Sequence, residues 1–201
     1  MFQDISKVEQ NLAELLESFP NIAQILQKLN QNQIKYGIYS GSFVAIASGY
    51  RKTRDIDIIV ADRDSLRLRL LFPEIKIKSF PYCRFSYLGE KDEVEIISHS
   101  DINVTEHTYS FRLTNLAWRN THKIFTPQVS LNVLNPVDTL LIKSFLRRGE
   151  EKGKYDLSDI SQLLQSTEID HRYLIRRLQE INPDERVLNF LKQNKLLFKQ
   201  Y

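Results

Sequence analysis

The sequence predicts an α/β (α+β) fold, a mixed β-sheet core flanked by helices at both ends of the chain. Three observations predict it. Apolar residues recur at helical spacing through residues 1–33, switch between alternate-residue and helical spacing through 34–134, and return to helical spacing through 135–201. These three stretches are taken as N-terminal helices, an α/β core and a C-terminal helical region.

Ser6 and Glu9 have the spacing of a capping box, and Val8, Leu12, Leu15, Leu16 and Phe19 supply the apolar face of the helix it opens. Pro20 ends that helix. Ile22, Ile25, Leu26 and Leu29 make a second one, closed by the polar run Asn30 to Gln33. Ile34 to Ser40 is β-branched and aromatic and reads as a strand. A Gly41-Ser42 turn, a short buried helix over Phe43 to Ala47 and a Gly49 terminator follow. Asp55 to Val60 is a second strand, and Asp62 or Asp64 caps a Leu-rich helix through Leu71. Strands are expected at Ile75–Lys78, Arg84–Leu88 and Glu93–Ser98, and extended pieces at Lys123–Phe125 and Val129–Val133. Asp101 to Thr121 has no clear period and receives no element. Asn135 then caps a helix with Pro136 in its first position, an apolar stripe of Val137, Leu140, Leu141 and Phe145, and a stop at Gly149. Asp156 opens another, with Leu157, Ile160, Leu163 and Leu164 apolar, and two more span Asp170–Ile181 and Asp184–Lys199.

Composition narrows the class of protein. With 42% hydrophobic and 26% charged residues the 201-residue chain has the make-up of a soluble globular protein rather than a disordered one. Twenty-eight Lys and Arg against 25 Asp and Glu leave a net charge of +3, which suits a phosphate-bearing partner without demanding one. A single cysteine, Cys83, excludes an internal disulfide framework and reads as a small hydrophobe. The first residues show neither a basic leader nor an apolar signal segment, and no apolar run approaches the ~20 residues of a membrane span, so a cytoplasmic protein without membrane partners is expected. His99, His107, His122 and His171 lack zinc-ligand spacing; His99, four residues past Glu95, is read as a surface residue, with a place lining the site as the other reading.

The chemistry concentrates between Tyr39 and Ile58. Asp55 and Asp57 are two apart on a strand, which puts both carboxylates on one face a few ångströms from each other. Like charges held so close favour a counter-cation, and hard divalent ions prefer such oxygen ligands. Upstream, Gly41 lets backbone N–H groups come near a phosphate, while the Ser42 hydroxyl and a helix N-terminus add donors and positive dipole. The bland reading of the acid pair is an exposed strand end, which leaves the Gly-Ser turn unexplained. Arg51, Lys52 and Arg54 are open to two readings, a solvated loop or a phosphate or nucleic-acid contact. Tyr39 and Tyr50 are candidates for stacking a base.

Gly41-Ser42, a short helix and Asp55-Ile56-Asp57-Ile58, led in by Arg51-Lys52-Thr53-Arg54, resemble the signature of the nucleotidyltransferase superfamily, which includes DNA polymerase beta, kanamycin nucleotidyltransferase and the CCA-adding enzymes. Pro136 to Lys143, Arg147-Arg148-Gly149 and Lys154-Tyr-Asp156-Leu-Ser-Asp159-Ile resemble a helix pair of the abortive-infection and toxin–antitoxin nucleotidyltransferases. The resemblance implies an enzyme that moves a nucleoside monophosphate from ATP or another triphosphate to an acceptor hydroxyl. Two magnesium ions, with manganese as a substitute, would be held by the catalytic residues Asp55, Asp57 and a third carboxylate. Glu95 matches that third position, where the family more often has Asp, and Glu93 is the fallback; Glu95 as a cross-strand charge partner stands as the other reading. Gly41, Ser42, Arg54 and Lys143 would serve the nucleotide, with Asp156 supporting the site. Within the family, a toxin-like or RNA-directed enzyme with an acceptor such as tRNA is favoured over an antibiotic-modifying one, and an antitoxin-like protein is a candidate regulatory partner. A nucleotide-binding or scaffold protein of the same fold, with little turnover, is the competing expectation.

Overall fold

A computed structural model describes residues 2–73, 76–79, 84–88, 93–104 and 106–197. Cys83, and the outer ends of the expected Ile75–Lys78 strand and Asp184–Lys199 helix, lie outside the described residues.

Two helices open the chain, α1 (Ile5–Ser18) and α2 (Ile22–Gln31). The start of α1 differs from the expected capping box. Asp4 is the cap, its carboxylate accepting from the Lys7 N–H and from the Ser6 hydroxyl, so Ser6 is drawn into the cap of its neighbour. The expected apolar faces of both helices are buried.

The mixed sheet is built from β1 (Tyr36–Ile38), β2 (Asp55–Val60), β3 (Lys76–Ser79), β4 (Arg84–Leu88), β5 (Glu93–Ile97), β8 (His122–Phe125) and β9 (Ser130–Val133), in the order β3-β4-β5-β2-β1-β9-β8. β2 runs parallel to β5 and antiparallel to β1, and β1 runs parallel to β9. Parallel neighbours need a crossover; between β2 and β5 it is made by α4 (Ser65–Leu71) with the β3–β4 pair. Ile56, Ile58, Ile59 and Val60 of β2 and Val94, Ile96 and Ile97 of β5 are buried, as central strands covered on both faces require.

The segment without a clear period, 101–121, contains most of a second, two-stranded sheet of β6 (His99–Val104) and β7 (His107–Arg112), followed by α5 (Asn115–Arg119). Between β1 and β2 runs α3 (Ser40–Ser48), which begins three residues earlier than expected and so takes Gly41 and Ser42 into its first turn. Gly41 to Ser48 are all buried, because α3 is packed by α1, α6 (Pro136–Leu146) and α7 (Asp156–Ser166) as well as by β2. Gly49 ends α3 with a φ of 63°, a conformation a side chain would strain.

Asn135 caps α6 by accepting from the Val137 N–H at 3.0 Å, with Pro136 in the first turn. The helix stops at Arg147 (φ 44°), before the expected Gly149, and the Arg147 guanidinium lies over the Phe190 ring. α8 (His171–Ile181) and α9 (Glu185–Gln193) close the chain, capped by Asp170 and Asp184. α8 is tied to α6 through buried Asp138, which accepts from the Tyr173 hydroxyl at 2.7 Å and from Arg177 Nε at 2.8 Å.

Candidate active site

The alternation of β2 sets the site. With Ile56 and Ile58 turned into the core, Asp55 and Asp57 face the opposite way and line one wall of a cleft of about 580 Å³. Glu95 lines the same wall because β5 pairs with β2 in a register that sets Asp57 beside Glu95 and Asp55 beside Glu93. The Glu93 side chain lies outside what the structure describes.

Three acids so placed alter one another. Burial, and then the charges of Asp55 and Glu95, push the Asp57 carboxyl up from 3.8 to about 7, against the pull of Lys143 and a hydrogen bond from the Ser40 hydroxyl. A carboxyl forced toward its neutral form by acidic neighbours is a strong place for a cation. Among the described residues no three His, Cys, Asp or Glu side chains already converge as a metal cage. The three carboxylates nevertheless offer the hard oxygen donors and the excess negative charge that Mg²⁺ suits, so the residues fit the ion the resemblance implies.

The N-terminus of α3 forms the floor of the cleft. Ser40, its first residue, has a φ of 58°, a left-handed conformation that costs a non-glycine residue about 1–3 kcal/mol and that clusters at functional sites. The positive φ therefore falls on Ser40 rather than on Gly41. Gly41 meets a different demand, since a Cβ there would lie 3.3 Å from Arg51 Nη2. Ser42 is fully buried and is not a lining residue of the cleft. Its hydroxyl donates to the Tyr39 carbonyl at 2.8 Å and accepts from the Asp57 N–H at 3.1 Å. It joins the helix start to the acid-bearing strand, whereas the sequence suggests a phosphate donor.

The facing wall comes from α6 and the start of α7. Lys143 lines the cleft, and its ammonium is 3.0 Å from Asp156 Oδ1 and 2.8 Å from Asp159 Oδ2. Arg148 Nε is 2.7 Å from Asp156 Oδ2, and the Arg148 N–H donates to the same oxygen. Arg51 grips Asp159 with Nε at 3.1 Å and Nη2 at 3.0 Å while its guanidinium lies over Tyr155. Burial raises the Asp156 carboxyl, but Arg148 and Lys143 outweigh it and hold the group below its ordinary value.

The cleft thus brings together Asp55, Asp57, Glu95, Gly41, Arg54, Lys143 and Asp156 and leaves out Ser42. Arg54 and Lys154 are exposed at its rim. Of the two candidate aromatics, Tyr39 lines the cleft, 5% exposed and stacked on Phe111, whereas Tyr50, 43% exposed, opens onto a neighbouring groove. Ser40, Asp101 and Asn103 are lining residues that sequence reasoning missed. The signal for the last two was the polar alternation Asp101, Asn103 around buried Ile102. His99 stands outside the cleft, 3.5 Å from Asp62.

No family model and no curated protein matches the sequence. Solved structures do match the fold. The lincosamide antibiotic adenylyltransferase LnuA, in its lincomycin-bound form, aligns over 74% of this chain and 98% of its own with a TM-score of 0.51 and 17% identity. An antigenic nucleotidyltransferase-like protein from Paracoccidioides brasiliensis aligns over 89% and 90% with a TM-score of 0.53 and 18% identity. A putative nucleotidyltransferase from Thermotoga maritima covers 68% of this chain and 89% of its own, with a TM-score of 0.53 and 15% identity. The chain has the nucleotidyltransferase fold. At these identities the likeness is one of architecture.

Proposed function

We propose that this protein is a metal-dependent nucleotidyltransferase that moves a nucleoside monophosphate from a triphosphate to an acceptor hydroxyl and releases pyrophosphate. The observation that carries this reading is the wall of Asp55, Asp57 and Glu95 beside the N-terminus of α3, which sets a cation-seeking group next to a phosphate-seeking one. Mg²⁺, with Mn²⁺ as a substitute, would be held by these three carboxylates and would supply charge stabilisation to the displaced phosphate oxygens. The backbone N–H groups at Gly41 take phosphate oxygens, and exposed Arg54 and Lys154 add positive charge at the rim. Lys143 keeps a positive charge close to Asp57. Glu95 is the group suited to accept the proton of the acceptor hydroxyl.

An RNA acceptor is favoured over a small cationic one, since Arg54, Arg148 and Lys154 line the same opening. A second reading, a nucleotide-binding protein with little turnover, is favoured by the engagement of Lys143 with both Asp156 and Asp159.

Incubation with each of the four α-labelled nucleoside triphosphates, magnesium and total RNA tests the proposal. Label in RNA that disappears in Asp57→Ala is expected. Intact triphosphate binding with no label in any acceptor would overturn it in favour of the second reading.

A further inference from the structure

Asp159 lies one helical turn beyond Asp156, fully buried and away from the lining of the cleft. Its carboxylate nevertheless holds two lining cations at once, the Arg51 guanidinium through both oxygens and the Lys143 ammonium through Oδ2. The three groups come from three elements, the segment before β2, α6 and α7. A carboxylate with both oxygens used in a two-pronged guanidinium contact fixes the plane of that guanidinium as well as its position. Tyr155 covers the same guanidinium, with 4.8 Å between its Cζ and the ring centre, and Gly41 leaves the space through which Nη2 passes over the first turn of α3.

We infer that Asp159 is a positioning residue for the triphosphate site: it presents Arg51 over the N-terminus of α3 and holds Lys143 on the opposite wall, so that two fixed cations flank the phosphates. This rests on the nucleotide-binding part of the proposed function and goes beyond it, since Asp159 itself meets no substrate. Arg51 acts through orientation as well as charge, because Nη2 sits beside the one residue of that turn with no side chain.

The test reads triphosphate binding directly, by calorimetry with ATP, GTP, CTP and UTP in magnesium chloride, and requires no transfer. Asp159→Asn is expected to weaken binding roughly ten- to hundredfold, the scale of a small misplacement of binding groups. Arg51→Ala is expected to weaken it comparably. The double variant should lose less affinity than the product of the two, as groups in direct contact do. Affinities whose losses simply multiply would overturn the inference and leave Asp159 a stabilising residue only. Should Asp159→Asn not fold, Arg51→Lys decides: it keeps the charge and loses the two-pronged contact. Affinity near that of Arg51→Ala supports orientation by Asp159, and affinity near wild type overturns it. A wild-type protein that binds none of the four triphosphates would strike the proposed function itself, a result distinct from binding that ignores Asp159.

Discussion

Asp156 and Asp159, at the start of α7, are fully buried yet embraced by Lys143, Arg148 and Arg51, whereas Asp57 on the facing wall lies beside two further acids, Asp55 and Glu95. Asp156 and Asp57 are drawn in opposite directions, Asp156 toward its charged form and Asp57 toward its neutral one. Buried acids compensated by fixed cations lock elements together, since removal of either partner strands the other. Acids concentrated on one sheet face contribute nothing of that kind and instead favour a cation from solution. One cleft therefore has a wall that stabilises the fold and a wall that stores unfavourable charge for use.

The sharpest way to break this contrast is to remove one acid from each wall. Asp57→Ala should lower nucleotide transfer by roughly a thousandfold, the scale of losing a group that stabilises transition-state charge. Its melting temperature should hold or rise, because a repelled acid has gone. Label incorporation and thermal denaturation check the two halves. Asp156→Ala should do the reverse to the fold, costing about 3 kcal/mol by leaving Lys143 and Arg148 short of a partner. Urea denaturation reads it, and a loss below about 1 kcal/mol, the size of an ordinary exposed pair, would erase the contrast.

Proton linkage sharpens it further. The folded protein keeps a proton on Asp57 that the unfolded chain releases, since the folded value of about 7 lies above 3.8. Stability in a chelator should therefore fall as pH rises from about 4 to about 7 and level off above. Asp57→Asn should remove that descent, and magnesium should oppose it, which melting curves at pH 5 and pH 8 would show. Asp156 works with the other sign: its contribution is present above 3.8 and is lost as pH falls through its lowered folded value. The smallest expected effect is that of Glu95→Asp. It should fold as wild type and lose about tenfold in transfer, within the range of a displaced acid–base group. No change at all would make Glu95 a cross-strand charge partner.

Much of this arrangement was legible before any coordinates. Alternation in Asp55-Ile56-Asp57-Ile58 shows which way the acids face, because the two apolar neighbours are fully buried and the two acids are half-buried. Asn135-Pro136 and Gly49 each offer one low-energy solution at their helix ends, and the fold uses it. Ambiguity entered where several residues compete for one task. Asp4 and Ser6 both can cap α1, and the carboxylate wins by accepting from the hydroxyl of its rival as well. Arg147 ends α6 ahead of Gly149 because stacking on Phe190, a contact remote in sequence, accompanies a left-handed backbone there. The β6–β7 hairpin was illegible for a related reason. In the sequence from His99 to Val104 polar and apolar residues alternate only from Asp101 onward, so no clean apolar alternation emerges. Nor could spacing reveal that Arg51 reaches Asp159, more than a hundred residues away.

The Ser42 hydroxyl, wedged between the Tyr39 carbonyl and the Asp57 amide, acts as a rivet through two girders. That oxygen and the Tyr39 N–H, which donates to the Asp57 carbonyl at 3.1 Å, together fix the helix tip against the acid-bearing strand. Any ligand that nudges the tip of that helix must drag the aspartate along, and whatever draws on the aspartate tugs the tip in return.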